Sequence, residues 1–158
     1  MELKIKKLTS SAVLPEFKTS GAACFDLVID QIIVFRNMVT VGYGFASEIP
    51  QGYCVTITPR SSFCQKGWIM QNSPAIIDSD YRGEWMTKFE AIPLEVHTYT
   101  ISSGDSLQMT ELMYPDFPYK LGDRVTQGKL ELLVPTIIKE VNELSDTERG
   151  TGACGSTN

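Results

Sequence analysis

The chain has 158 residues, 42% of them apolar, enough for one domain with its own core and much exposed surface. Its 14 basic and 19 acidic residues give a formal net charge of −5, which disfavours a protein that grips polyanionic nucleic acid and leaves a small metal-chelated anion open. No apolar run approaches the ~18 residues needed to span a bilayer, so a soluble, intracellular protein is expected.

Short alternating or β-branched runs recur along the chain: Leu3–Leu8, Ile32–Val34, Met38–Val41, Tyr53–Thr58, Ile69–Gln71, Met86–Ile92, Val96–Ile101 and Leu130–Val134. Turn formers separate them, as in Ile49-Pro50-Gln51-Gly52, Ser102-Ser103-Gly104-Asp105 and Lys120-Leu121-Gly122-Asp123, and no long segment keeps a helical period. The pattern predicts an all-β fold, a barrel or jelly roll, with helical turns at most over Ser61–Lys66 and Ser106–Met113. From about Leu144 the composition turns polar and glycine-rich. That divides the chain into a β domain over 1–143 and a flexible arm over 144–158.

Cysteines 24, 54, 64 and 154 form no CxxC pair, which signals neither a zinc site nor a disulfide framework, and His97 is the sole histidine. Chemistry must come from elsewhere. In Ile76-Ile77-Asp78-Ser79-Asp80-Tyr81-Arg82-Gly83-Glu84, Asp78 follows two isoleucines, where a strand should end and hold its carboxylate against partly buried surroundings as a general base. Pro59-Arg60-Ser61-Ser62-Phe63-Cys64-Gln65-Lys66-Gly67 offers an arginine, two hydroxyls and N–H groups suited to phosphate oxygens. Gly122-Asp123-Arg124-Val125-Thr126-Gln127 adds a turn and an amide donor, and the tail adds Arg149 among glycines that let backbone approach an anion.

In order, these segments resemble the five motifs of the trimeric dUTP diphosphatase family: Ala23-Cys24-Phe25-Asp26-Leu27, Pro59-Arg60-Ser61-Ser62, Asn72 through Gly83, Gly122 through Gln127, and Arg149 through Thr157. The resemblance runs from about Thr19 to the last residue, and Ile49-Pro50-Gln51-Gly52-Tyr53 belongs to it as well. It implies a distorted jelly-roll barrel, a homotrimer with active sites at subunit interfaces, and cytoplasmic hydrolysis of dUTP to dUMP and pyrophosphate with Mg²⁺. Asp78 would activate the attacking water, and Asp26 would reach the metal through water. Arg60, Ser61, Ser62 and Gln127 would hold phosphate oxygens, with Arg149, Cys154, Gly155 and Ser156 closing from the tail. Asn72 and the backbone to Ile77 would read uracil, and Tyr81 would pack under the deoxyribose.

The sequence also departs from the family pattern. Cys154 stands where an aromatic residue usually stacks on uracil, after Ala153 in place of a glycine, which implies a looser lid and a cost in binding or turnover. Cys24 and Ala75 also replace glycines, and Gly128-Lys129 interrupts a normally apolar strand. The connection from Val96 to Leu121 is longer than the family's by roughly twenty residues. Its Met- and aromatic-rich part, 106–119, reads first as a self-packed cover and second as a surface for a regulatory protein. A fold-sharing dCTP deaminase is the rival enzyme, but Lys88 stands where it needs a glutamate.

Overall fold

The computed structural model describes residues 2–64, 66–103 and 105–152, with only the backbone of 95–111. The strands are β1 (Lys4–Lys7), β2 (Phe25–Val28), β3 (Gln31–Phe35), β4 (Met38–Gly42), β5 (Phe45–Glu48), β6 (Tyr53–Pro59), β7 (Trp68–Met70), β8 (Ala75–Ile77), β9 (Met86–Ala91), β10 (Glu95–Ser103), β11 (Asp105–Met113) and β12 (Arg124–Leu132). One sheet is ordered β2-β12-β6-β8 and another β3-β4-β9-β7, while β1 pairs with β5 and β10 with β11. All pairings are antiparallel.

Alternation explains the layers. In β9, Thr87, Phe89 and Ala91 face inward while Met86 and Lys88 face out, and β4 buries Val39 and Val41 in the same way. Val39, Val41, Phe89 and Ala91 join Leu27, Phe45, Val55, Ile57, Trp85 and Val125 in one core shared by both large sheets. The Tyr43 hydroxyl lies 2.6 Å from Thr87 Oγ1 on β9 and 2.5 Å from Thr126 Oγ1 on β12, tying the sheets together through a buried polar contact. Trp85 Nε1 donates to Ser47 Oγ at 3.1 Å. Trp68 Nε1 donates to Asp116 O at 3.2 Å, so all three of these buried aromatic polar groups have partners.

The all-β expectation holds, with two corrections. Ser106–Met113 is not a helical turn but lies in β11, paired along its length with β10. The last large strand begins at Arg124, six residues before the expected Leu130, because Gly128 is accommodated: Phe25, opposite it on β2, fills the space a side chain would need. The long connection divides in two. The β10–β11 hairpin pairs only with itself among the described residues, whereas Phe117 and Tyr119 cover the core, with Phe117 5.1 Å from Trp68 and Tyr119 5.9 Å from Phe63. After β12, Val134, Ile137, Ile138 and Leu144 are nearly all solvent-exposed.

Candidate active site

Two basins flank the β2-β12-β6-β8 sheet. The first, about 510 Å³, is lined by Arg60, Ser62, Lys66, Pro118, Tyr119, Gly122, Asp123 and Arg124. Pro59 ends β6, and the 3₁₀ turn Ser61–Phe63 follows, anchored by the buried Phe63 ring. That anchor presents Ser61 and Ser62 outward. Arg60 is strapped to β12, its N–H donating to Val125 O at 3.1 Å and its Nη1 to Arg124 O at 3.1 Å. Asp26 on β2 forms an ion pair with Arg60, Oδ1 lying 3.0 Å from Nε, and accepts a hydrogen bond from Arg124 Nη1 on Oδ2 at 2.8 Å, its side chain only 12% exposed. Gln127 lies opposite Asp26 in the ladder, and its Nε2 approaches Pro59 O at 3.5 Å. The result is a cationic, donor-rich hollow suited to phosphate oxygens.

The second basin, about 400 Å³, is lined by Asn72, Pro74, Ala75, Ile76, Ile77, Asp78, Tyr81, Glu84, Met86 and Lys88. Asn72 Oδ1 accepts from the Lys88 N–H at 3.0 Å, which fixes the amide with its NH₂ as the free donor. Tyr81 closes a turn on Asp78, its N–H donating to Asp78 O at 3.2 Å and its hydroxyl to Glu84 O at 3.1 Å. Asp78 follows β8 as expected, but its carboxylate is exposed within one chain and not held against buried surroundings. Its strand neighbour Ile77 turns into the core, so the next residue points out.

Comparison with known proteins places the chain in a family. The dUTPase family profile matches residues 10–107. The chain is 39% identical to the deoxyuridine 5′-triphosphate nucleotidohydrolase of Nautilia profundicola over 99% of both chains, and 36% identical to that of Helicobacter hepaticus over 99% of this chain and 89% of the relative. The chain belongs to the dUTPase family. It is accordingly a dUTP diphosphatase, a hydrolase of nucleotide metabolism. Its fold is that of a solved dUTPase of Staphylococcus bacteriophage 80alpha with dUpNHpp, at a TM-score of 0.75 and 21% identity over 99% of this chain and 98% of that one.

Within this dUTPase chain the two basins share no lining residue. Val55 pairs with Ile77, which puts Asp78 beside Cys54, six residues along β6 from Arg60. At 3.3 Å per residue that is roughly 20 Å. The structure therefore gathers Arg60 and Ser62 at one end of β6, with Asp26 bound to Arg60, and lines the second basin along β8 with Asn72, Ile77, Asp78 and Tyr81, of which Asp78 lies toward the other end of β6. Ser61 is exposed on the turn beside the first group. Arg149 is in neither lining; its Nε donates to Gly152 O at 3.1 Å within a turn of the tail. Cys154, Gly155 and Ser156 lie outside the described residues.

Sequence reasoning assigned no role to Lys66, Glu84, Lys88 or Arg124, all of which line a basin. Arg124 lies within the Gly122–Gln127 motif and carries the one available signal, a cation next to the turn at Gly122-Asp123. Among the described residues no three or more His, Cys, Asp or Glu side chains stand together as a metal cage. Mg²⁺ commonly keeps several waters and is held by one or two carboxylates plus substrate phosphates, so Asp26 beside the Arg60 basin fits an ion carried by a triphosphate.

Proposed function

We propose that the two basins are halves of one dUTP site, completed when a second copy of the chain sets its Asp78 basin against the Arg60 basin of the first. Attack on the α-phosphorus needs the water held by Asp78 within about 3–3.5 Å of a phosphate that Arg60 also holds. The separation of roughly 20 Å along β6 forbids this inside one chain. That separation is the observation that carries the reading. The exposed apolar side chains of Val134, Ile137 and Ile138 support assembly, since monomers rarely leave such a run uncovered. A homotrimer with three interface sites, and an arm over 144–158 that brings Arg149 and Ser156 to the γ-phosphate, follows from the family resemblance.

Uracil enters the Asn72 basin, where the free amide NH₂ meets a carbonyl acceptor of the base. Cytosine would set its amino donor against that donor, and a site built on hydrogen bonds discriminates by as much as ~10⁴-fold on such a mismatch. The Tyr81 ring lies beneath the deoxyribose and leaves no room for a 2′-hydroxyl. Asp78 takes a proton from water as its oxygen bonds to the α-phosphorus; the bond from that phosphorus to the bridging oxygen breaks and pyrophosphate leaves. Arg60, Ser61, Ser62 and Gln127 hold the phosphate oxygens in line. Asp26 would hold Mg²⁺ through water, and bound Mg²⁺ supplies neutralisation of charge developing on the phosphates.

The test is pyrophosphate release with Mg²⁺ from dUTP beside dCTP, dTTP and UTP, repeated with Asp78→Asn. Turnover of dUTP alone, reduced ~10²–10⁴-fold by the substitution, is expected. Equal turnover by the variant would refute the role of Asp78.

A regulatory protein partner for 106–119 is a second reading, supported by the β10–β11 hairpin pairing only with itself among the described residues. Phe117 packs on the core, so a deletion that tests it must spare residues 114–119. Shortening the hairpin within 97–111 should leave dUTP turnover intact; its loss would tie the hairpin to catalysis.

A further inference from the structure

Strand β12 departs from regular pairing at one point. Against β2, Gln127 faces Asp26 and Thr126 faces Leu27, but Arg124 faces Val28, so Val125 is an extra residue in the ladder. Regular register would set Arg124 opposite Ile29, on the face shared with Leu27, and both of those side chains are buried in the core. Directly opposed residues of an antiparallel pair point to the same face, and residues two apart along a strand share one. The bulge therefore moves Arg124 to the face of Val28 and Asp26, in the way bulges beside functional sites re-aim a side chain.

We propose that Arg124, delivered by this bulge, is a positioning residue for triphosphate binding that acts through Asp26 on the aim of Arg60. A carboxylate facing a lone guanidinium pairs with it through two parallel N–H bonds. Here Arg124 Nη1 occupies Oδ2 at 2.8 Å, leaving Arg60 to meet Oδ1 through Nε alone at 3.0 Å. The terminal donors of Arg60 are thereby spared. Nη1 makes one bond to Arg124 O at 3.1 Å, and among the described residues the remaining terminal donors have no partner and are open to ligand. Arg124 also settles the sign of the basin. With it, the cations Arg60, Lys66 and Arg124 outnumber the carboxylates Asp26 and Asp123; without it the two kinds are equal.

The inference rests on the dUTP reading of the site, and the experiment separates the two. Full-length wild type, Arg124→Gln, Arg124→Lys, Asp26→Asn and the Asp26→Asn/Arg124→Gln double variant are compared in steady-state dUTP turnover. Calorimetric binding of inorganic tripolyphosphate, with and without Mg²⁺, is measured alongside. Arg124→Gln should raise KM and weaken tripolyphosphate binding about tenfold, the scale of a lost charge-assisted hydrogen bond. kcat should stay within about threefold and the melting temperature should hold. Arg124→Lys should recover part of the loss, and the double variant should bind no more weakly than Asp26→Asn alone. Wild-type affinity in Arg124→Gln, additive losses in the double variant, or a loss that tracks a lowered melting temperature would each overturn the assignment. Absence of wild-type dUTP turnover would overturn the functional reading, while the calorimetric comparison still judges Arg124.

Discussion

The ring of Tyr81 lies over Gly83, so that a Cβ added to Gly83 would stand 2.5 Å from Tyr81 Cζ and closer still to the hydroxyl. Gly83 thus acts as the floor on which the Tyr81 ring, proposed to face the sugar, rests, and the hydroxyl bond to Glu84 O at 3.1 Å holds the ring down. Gly83→Ala should lift Tyr81 out of the basin. We expect KM for dUTP to rise about tenfold and the preference for dUTP over UTP to fall, since a misplacement of 1 Å is costly in a positioned site. Tyr81 is half exposed, so the melting temperature should move little. Competition assays with UTP check this, and unchanged sugar selectivity would count against the role given to the ring.

Gly128 and Phe25 show the same relation inside the core. They oppose one another across β12 and β2, and a Cβ on Gly128 would come within 2.7 Å of the Phe25 Cζ. Phe25 is buried and cannot swing to solvent. Gly128→Ala should therefore destabilise by ~1–3 kcal/mol, the usual cost of overpacking. Adding Phe25→Leu should return part of that loss in a thermal melt; a neutral Gly128→Ala would mean that the strand relaxes freely.

Gly128 also marks where the sequence stopped being legible. The strands β4, β6 and β9 could be read because alternation persists over five residues or more and the inward set is apolar. β2, β5 and β8 span only three or four residues and give too few turns of the period to register. The Met and Leu spacing of Ser106–Met113 imitates a helix, and only pairing with β10 decides for strand. For the site, residue types and spacing exposed both basins, because a terminal carboxylate after Ile76-Ile77 and a Pro-Arg-Ser-Ser turn are local features. The pairing of Asp26 with Arg124 was not local. It depends on one extra residue in a ladder that brings together positions 98 apart in the chain.

Tyr43 gives a prediction about pH. Burial pushes its hydroxyl up to about 12 from 10.0, against the hydrogen bonds with Thr126 and Thr87, which favour the ionised form. A folded value above the unfolded one means the contribution is fully present below pH 10 and is lost as pH rises through about 12. A rise from 10.0 to about 12 corresponds to roughly 3 kcal/mol. Wild type should lose stability of that order across this window. Tyr43→Phe, less stable at pH 7 by ~1–3 kcal/mol because both threonines lose a partner, should lose less over the same window. Urea midpoints at fixed protein concentration decide it, and parallel pH profiles would show that Tyr43 ionisation is not what limits alkaline stability.

The proposed division of the site between copies has the sharpest consequence. If Asp78 of one chain serves Arg60 of another, an Asp78→Asn chain and an Arg60→Gln chain are each defective in every site of their own oligomers. Removing either group should cost ~10²-fold or more in turnover. Co-folded in equal amounts they form mixed oligomers in which about a quarter of sites draw both intact residues, one from each chain, as closed rotational symmetry requires. Activity should therefore return to about a quarter of wild type on mixing by co-refolding and not on mixing the folded variants briefly. A mixture that stays as inactive as its parts would place both residues in a site built by one chain, against the roughly 20 Å that β6 puts between them.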